Sequence, residues 1–268
     1  MPWVSGFGPR FTDSAAGPRA YRGSRMTDPR QNGKRAAARA AADEVRTGTA
    51  IGLGTGSTVA FALERLAERR RDSGLDFVGV PTSEATAARA RELGLPLTTL
   101  EEAGRLDLTI DGADEVDPAL QLVKGGGGAL TREKIVAAAS DRFLVIVDAT
   151  KLVPHLGATF RLPIEVLEFA WPVTARHIEE LGLPNVLRAA ANGAPYRTDN
   201  GHFIVDANLG PVEDLTGLEA ALDTIPGVVE CGLFLGMADR VYVGEADGGT
   251  RIIDAGGRAP RAGAGRAR

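Results

Sequence analysis

The sequence predicts an α/β fold, a mainly parallel sheet covered by helices with a smaller α+β domain inserted into it. Three observations carry that expectation. Short apolar runs alternate with helical stretches through the first 150 or so residues. The runs are continuously apolar, as in strands buried on both faces, rather than alternating with polar residues. After about residue 151 the rhythm changes to hairpin-like segments, and further apolar runs follow from residue 227.

The elements follow in order. An Ala-rich stretch over 34–46 reads as a helix. Residues 49–53 form a short apolar run, followed by a glycine turn and a helical stretch to about residue 71, which is a strand–turn–helix unit. Residues 77–80 read as a second strand and 84–93 as a helix. Strands are expected at 97–100 and 106–110, a helix at 129–139 and an apolar strand at 143–147. In the second part, 164–169 reads as a strand and 173–181 as a helix. Residues 196–198 and 203–206 read as a hairpin around Asp199-Asn200-Gly201, because Asn-Gly supplies the positive φ angles of a tight turn. A helix is expected at 215–222, and strands at 228–235, 240–243 and 252–253, the last three returning to the first sheet. The expected organisation is a discontinuous catalytic domain, 26–157 and 227–257, around an insertion, 158–226. Residues 1–25 and 258–268 read as disordered ends, with Met26 as a plausible start of the folded chain.

Composition narrows the function. The chain has 268 residues, 44% hydrophobic and 25% charged, which suits a globular domain with a real core. No apolar run approaches the roughly 20 residues of a membrane span. The net charge is −4, but the two Arg-rich ends carry +3 and +4, so the body carries −11. Such a body repels nucleic-acid phosphates. A single cysteine, Cys231, excludes an internal disulfide framework and fits a reducing, cytoplasmic setting. His155, His177 and His202 show no metal-ligand spacing.

Four segments could carry chemistry. In Gly52-Leu53-Gly54-Thr55-Gly56-Ser57-Thr58, a turn between strand and helix aims backbone N–H groups and the helix dipole at one spot, which suits a phosphate. It is no P-loop, since no Gly-Lys-Ser/Thr closes it, and its third glycine comes too early for a dinucleotide fingerprint. Asp111-Gly112-Ala113-Asp114 follows a strand, at the carboxyl end where α/β proteins bind ligands; turn and cap roles are the alternative. Lys124-Gly125-Gly126-Gly127-Gly128 is costly to order unless its amides wrap a ligand oxygen, and Glu133 lies early on the following helix. Lys134, one residue on, points about 100° away around the helix and reads as a surface residue. Asp148 and Lys151 form a charged pair at another strand end, where a surface ion pair is the alternative. Together these place carboxylates and lysines on one rim, the mixture that tunes a general base toward neutral pH.

In this order and spacing, GLGTGST, DGADEVD, KGGGGALTREK and DATK resemble type A ribose-5-phosphate isomerases, and TDNG with IVD, and PGVVE before GLF, match as well. The resemblance spans about 26–253. It implies a Rossmann-like domain with an inserted α+β domain. It implies interconversion of ribose 5-phosphate and ribulose 5-phosphate in the non-oxidative pentose phosphate pathway, with no metal and no cofactor; a homodimer or homotetramer is expected because small α+β insertions often carry oligomer contacts. It puts the base on Glu133, with Asp111, Asp114 and Lys124 completing the catalytic set. Substrate contacts fall on Thr55, Gly56, Ser57, Thr58, Asp111, Gly112, Ala113, Asp114, Lys124, Gly125, Gly126, Gly127 and Lys151, and on Lys34 in the first helix. His202 and Cys231 stand where the family commonly has Asn.

The chemistry agrees. Moving a proton between C2 and C1 through an enediolate needs a base on one face and positive charge or N–H groups at the oxygen that becomes negative. Glu133, Lys124 and the amides of 125–127 are of the right types, and a remote phosphate on the glycine turn would orient the reacting carbons. The rivals are a sugar-phosphate deaminase, a CoA transferase with a nucleophilic Glu, and a sugar-phosphate-sensing regulatory domain, which would want a basic DNA-binding module.

Overall fold

The computed structural model describes residues 29–256; the ends expected to be disordered, and Met26, lie outside the described residues. In chain order the elements are α1 (Pro29–Ala42), β1 (Thr49–Leu53), α2 (Ser57–Ser73), β2 (Phe77–Pro81), α3 (Glu84–Glu92), α4 (Leu100–Ala103), β3 (Leu108–Asp111), β4 (Glu115–Val116), β5 (Leu122–Val123), α5 (Leu130–Ala138) and β6 (Phe143–Asp148). Then come β7 (Leu162–Val166), α6 (Trp171–Glu180), β8 (Asn185–Leu187), β9 (Phe203–Ala207), α7 (Leu215–Asp223), β10 (Val228–Cys231), β11 (Leu233–Phe234), β12 (Arg240–Gly244) and β13 (Thr250–Asp254).

Six strands form the main sheet in the order β13-β12-β6-β3-β1-β2, parallel except for β13, which runs antiparallel to β12. β6 shows why its sequence is apolar throughout. Leu144 and Ile146 enter the core built with α1 and α2, while Phe143, Val145 and Val147 face a second core with Ala137 and Phe234. Both faces are covered, so neither register of the pleat can be polar.

A four-stranded antiparallel sheet, β10-β7-β9-β8, forms the inserted unit, and a three-stranded one, β11-β5-β4, lies between. The insertion's core draws Val123, Val153 and Leu156 from before residue 158, and Cys231 and Leu233 from beyond 226.

Three expected elements differ. Residues 228–235 do not return to the main sheet as one strand; the chain breaks at Gly232, with β10 on β7 and β11 on β5. Residues 97–100 are not a strand. Leu97 makes one bridge to Gly79, and then Thr99 and Glu102 close a reciprocal capping box that starts α4. The 198–201 turn forms, with Gly201 N–H donating to the Thr198 carbonyl at 2.9 Å. Its first arm is not a strand, however; β9 pairs instead with β7 and β8. Just before that arm Pro195 makes an isolated bridge to Ala189, and the Tyr196 amide donates to the Arg188 carbonyl at 2.9 Å.

Glu115 on β4 locks the entry to the insertion. Fully buried, it accepts hydrogen bonds from the amides of Gly157 (2.6 Å), Thr159 (2.5 Å) and Phe160 (2.8 Å) and from the Thr159 hydroxyl (2.8 Å). Removing it strands three amides. Glu115→Ala is expected to lower the unfolding free energy by about 3 kcal/mol in urea titrations, with Glu115→Gln recovering part of the loss; an unchanged midpoint in the Ala variant would show that water replaces the carboxylate at no cost.

Candidate active site

The carboxyl ends of β1, β3 and β5 meet the N-terminal ends of α2 and α5. Between them opens a cavity of ≈ 130 Å³, lined by Lys34, the turn from Thr55 to Thr58, Gly112, Ala113, Asp114, Lys124, the loop from Gly125 to Gly127, Glu133 and Lys151. Asp111 stands directly behind Lys124. A roomier cleft, ≈ 580 Å³, lies beside α3, α4 and α5, but its three carboxylates, Glu84, Glu101 and Glu102, are all exposed.

Lys124 is the centre. It is buried, yet its ammonium has three oxygens around it: the Gly112 carbonyl at 2.7 Å, Asp111 Oδ2 at 3.0 Å and Glu133 Oε2 at 3.2 Å. Only the carbonyl takes an aligned hydrogen bond. The two carboxylate oxygens lack any hydrogen-bond partner and hold the ammonium by charge. The Phe234 ring lies 5.4 Å from the same ammonium.

Burial pushes Glu133 up to about 8, with the charge of Asp111 adding to the shift and Lys124 opposing it. Burial raises Asp111 too, against the pull of Lys124 and of the amides of Gly112 and Thr55. For Lys124, burial works to lower the pKa, but Asp111 and Glu133 overcome it and leave the group above its ordinary value. The lysine therefore stays charged, and one proton is shared out between the acids near neutral pH.

Asp111 also joins two parts of the site. Its Oδ1 accepts from the amides of Thr55 (3.0 Å) and Gly112 (2.7 Å). Gly54 is glycine for that reason, since a Cβ there would sit 2.1 Å from Asp111 Oδ1. Gly56, at φ 121°, caps α2 without a side chain, leaving the first-turn amides facing the cavity. Ser57 Oγ accepts from Lys34 Nζ at 2.9 Å, which brings α1 to the turn. Asp114 is half-buried, and its Oδ2 accepts from the Gly126 amide at 2.7 Å.

Two expectations change. Asp148 is not paired with Lys151; it caps the short helical turn that follows, accepting from the Thr150 amide at 3.0 Å, while Lys151 lines the cavity. Lys134 is not a surface residue. It turns inward to Glu230 (2.6 Å) and Glu219 (3.2 Å), with its ammonium 5.2 Å from the Phe234 ring.

Several contributors escaped the sequence reading. Arg188 donates to the Gly125 carbonyl (2.8 Å) and Tyr196 to that of Gly127 (3.3 Å), so the inserted unit holds the carbonyl side of the glycine loop. Thr82, Ser83 and Thr86 cluster on the Thr55 hydroxyl. No local pattern announces these contacts; the only hint was the hydroxyl-rich run after β2, which reads equally well as a helix cap.

A family model described as ribose 5-phosphate isomerase A (phosphoriboisomerase A) matches residues 78–248. The ribose-5-phosphate isomerase A of Synechococcus sp. (strain JA-3-3Ab) is 51% identical over 216 residues, covering 80% of this chain and 94% of that protein. That of Gloeobacter violaceus is 55% identical over 221 residues, covering 82% and 95%. The solved ribose 5-phosphate isomerase A of Methanocaldococcus jannaschii superposes with a TM-score of 0.79 at 40% identity, covering 82% of this chain and 97% of that one. A D-ribose-5-phosphate isomerase in complex with phospho-erythronic acid gives 0.81 at 39% identity, covering 85% and 100%. Lys34 and the turn at 55–58 precede the residues matched by the family model, so their place in the site rests on the geometry above.

The raised Glu133 pKa has a sign that can be read in stability. Its ordinary carboxyl value is 4.5, and the folded value is about 8. Between the two, the folded chain holds the extra proton, so stability falls as pH rises through that window. Gln cannot ionise. Glu133→Gln should therefore melt above the wild type, by a margin that is small at pH 5 and largest at pH 9; a margin that does not grow with pH would place the buried ionisation on another group.

Proposed function

This chain belongs to the ribose 5-phosphate isomerase A family and interconverts ribose 5-phosphate and ribulose 5-phosphate; we propose that it does so through an enediolate, with Glu133 as the general base. The observation that carries this reading is a buried carboxylate, raised to about 8, touching a buried ammonium at the wall of a cavity whose other wall is a glycine loop.

Each step follows from a named group. The substrate's phosphate sits on the first-turn amides of α2 at Ser57 and Thr58, with Lys34 beside them. Anchoring that end orients C1 and C2 at the far wall. Glu133 takes the proton from C2 and returns it to C1, while the hydroxyl proton on the C2 oxygen passes to the C1 oxygen, so that C1 ends as an alcohol and C2 as the carbonyl. The neighbouring oxygen becomes negative during the transfer, and Lys124 and the amides of Gly125 and Gly127 stabilise it, the Gly126 amide being held by Asp114. Because only the Gly112 carbonyl aligns with a Lys124 N–H, the ammonium can turn from Asp111 and Glu133 toward the new oxyanion. Asp114 is the better of the two aspartates for gripping hydroxyls and opening the ring. It lines the cavity, whereas Asp111 is fully buried and engaged by two amides and Lys124.

In this scheme Lys124 supplies the positive charge. Turnover is expected to persist in excess EDTA, and Glu133→Gln to lose about 10²–10⁴ in kcat. The wild-type kcat/KM should rise with pH through an apparent pKa near 8 as the carboxylate forms. Absence of turnover in the wild type would sink the isomerase reading; a fully active Glu133→Gln would remove the base and leave the reaction.

We place the reaction in the cytoplasm and in the non-oxidative pentose phosphate pathway. The single thiol, Cys231, is buried and suits a reducing compartment, and no helix among the described residues is long and apolar enough to cross a membrane. The working form is a homodimer or homotetramer. The inserted unit supports this, exposing Leu167, Phe169, Val173 and Val186, with Phe169 88% exposed. Sedimentation at micromolar concentration is expected to show an oligomer; monomer alone would reject it.

A further inference from the structure

The base helix α5 has no local device to fix its position. It is nine residues long, begins after four glycines, and its N-cap residue, Ala129, offers no side-chain acceptor. The two residues immediately before Glu133 both reach one turn of the inserted unit, Arg132 directly and Thr131 through Glu165 of β7. The Thr131 hydroxyl donates to Glu165, a fully buried carboxylate that also accepts from Thr198 (2.8 Å), Asn200 (3.1 Å) and His202 (2.9 Å). The Arg132 guanidinium donates to Asn200 Oδ1 at 2.9 Å and to the Asp199 carbonyl at 3.1 Å.

The same turn reaches the other end of the site. Asp199 Oδ2 accepts from the amide of Glu84, the first residue of α3, at 2.8 Å. Glu84 also pairs with Arg132 at 3.1 Å. Ser83, which caps α3, accepts from the Thr55 hydroxyl at 2.9 Å, and Thr86 donates to the Gly54 carbonyl at 2.8 Å. A continuous path therefore runs from the residue beside the base, through Asp199 and the start of α3, to the turn that holds the phosphate.

We propose that the 198–202 turn is a strap that sets the spacing between Glu133 and the phosphate-binding turn, with Asp199 as its positioning residue. The proposal rests on the isomerase reading, since only a substrate held at both ends requires that spacing. Glu84 and Arg132, the polar partners of Asp199, are not among the residues that line the cavity. Asp199 acts by fixing α3 and α5 against each other, and a base displaced by a fraction of an ångström from C2 loses rate without losing its chemistry.

The test compares Asp199→Ala and Asp199→Asn with the wild type on ribose 5-phosphate, beside melting curves. Asp199 is about one-third exposed, so neither variant empties a core. The Ala variant should lose about tenfold in kcat and raise KM, with a melting temperature close to wild type. The Asn variant keeps an oxygen for the Glu84 amide and should recover most of the loss. Unchanged kcat and KM in the Ala variant would overturn the strap, as would equal impairment in both variants, or a loss accounted for by the unfolded fraction. An inactive wild type would instead overturn the isomerase reading, and is read from the same plate.

Discussion

Everything in the site depends on one buried ammonium. Taking Lys124 out of water costs several kcal/mol unless charge and hydrogen bonds offset it. The Gly112 carbonyl and the two carboxylates, Asp111 and Glu133, do that. Two acids around one base leave an excess negative charge when both ionise, and burial makes that excess expensive. The least costly arrangement keeps one proton among the acids close to neutral pH. Glu133 raised to about 8 is the consequence. The property a general base needs thus comes from burying Glu133 beside Asp111, with the lysine holding the rise in check.

The fold supplies that burial through the ends of parallel strands. β1 and β3 bring the Thr55 turn and Asp111 side by side, and Asp111 Oδ1 welds them by taking the Thr55 amide. β5 delivers Lys124 from a separate small sheet, pinned by β11 on one side and β4 on the other. The inserted unit completes the wall. Arg188 and Tyr196 donate to the loop carbonyls of Gly125 and Gly127, which offsets the negative ends of those peptide dipoles beside the cavity. The insertion is therefore part of the active site's electrostatics as well as an appendage to the sheet.

The motif residues were legible because their chemistry is local. A strand, a glycine turn and a helix can be read around residues 52–58, and Asp111 follows an apolar run that points to a strand's carboxyl end, while Lys124 stood out by opening a run of four glycines. What escaped is long-range. β4, β5 and β11 are two residues each, too short for any period to register. β10 and β11 read as one strand because Gly232 separates them without a polar break. Glu115 and Glu165 look in sequence like ordinary charges on strands, and only tertiary partners make them buried hubs. Lys134 was placed by helical angle alone, but that angle gives a direction, not what stands there; Glu219, Glu230 and the Phe234 ring do. The α4 capping box, by contrast, was readable in Thr99 and Glu102 and was overridden by the apolar residues beside it.

The scarcity of lysine acquires a physical meaning in this light. The chain has 27 arginines and four lysines, and three of the four, Lys34, Lys124 and Lys151, line the one cavity. At position 124 the reason is geometric. An ammonium concentrates its charge on a single atom, and the three oxygens at 2.7, 3.0 and 3.2 Å lie around that point, one by hydrogen bond and two by charge. A guanidinium spreads its donors over a plane some ångströms wide, which does not match oxygens gathered round one point. A compositional bias that favours arginine wherever a cation is merely needed therefore leaves lysine where a compact cation fits, and the buried site at 124 is that case.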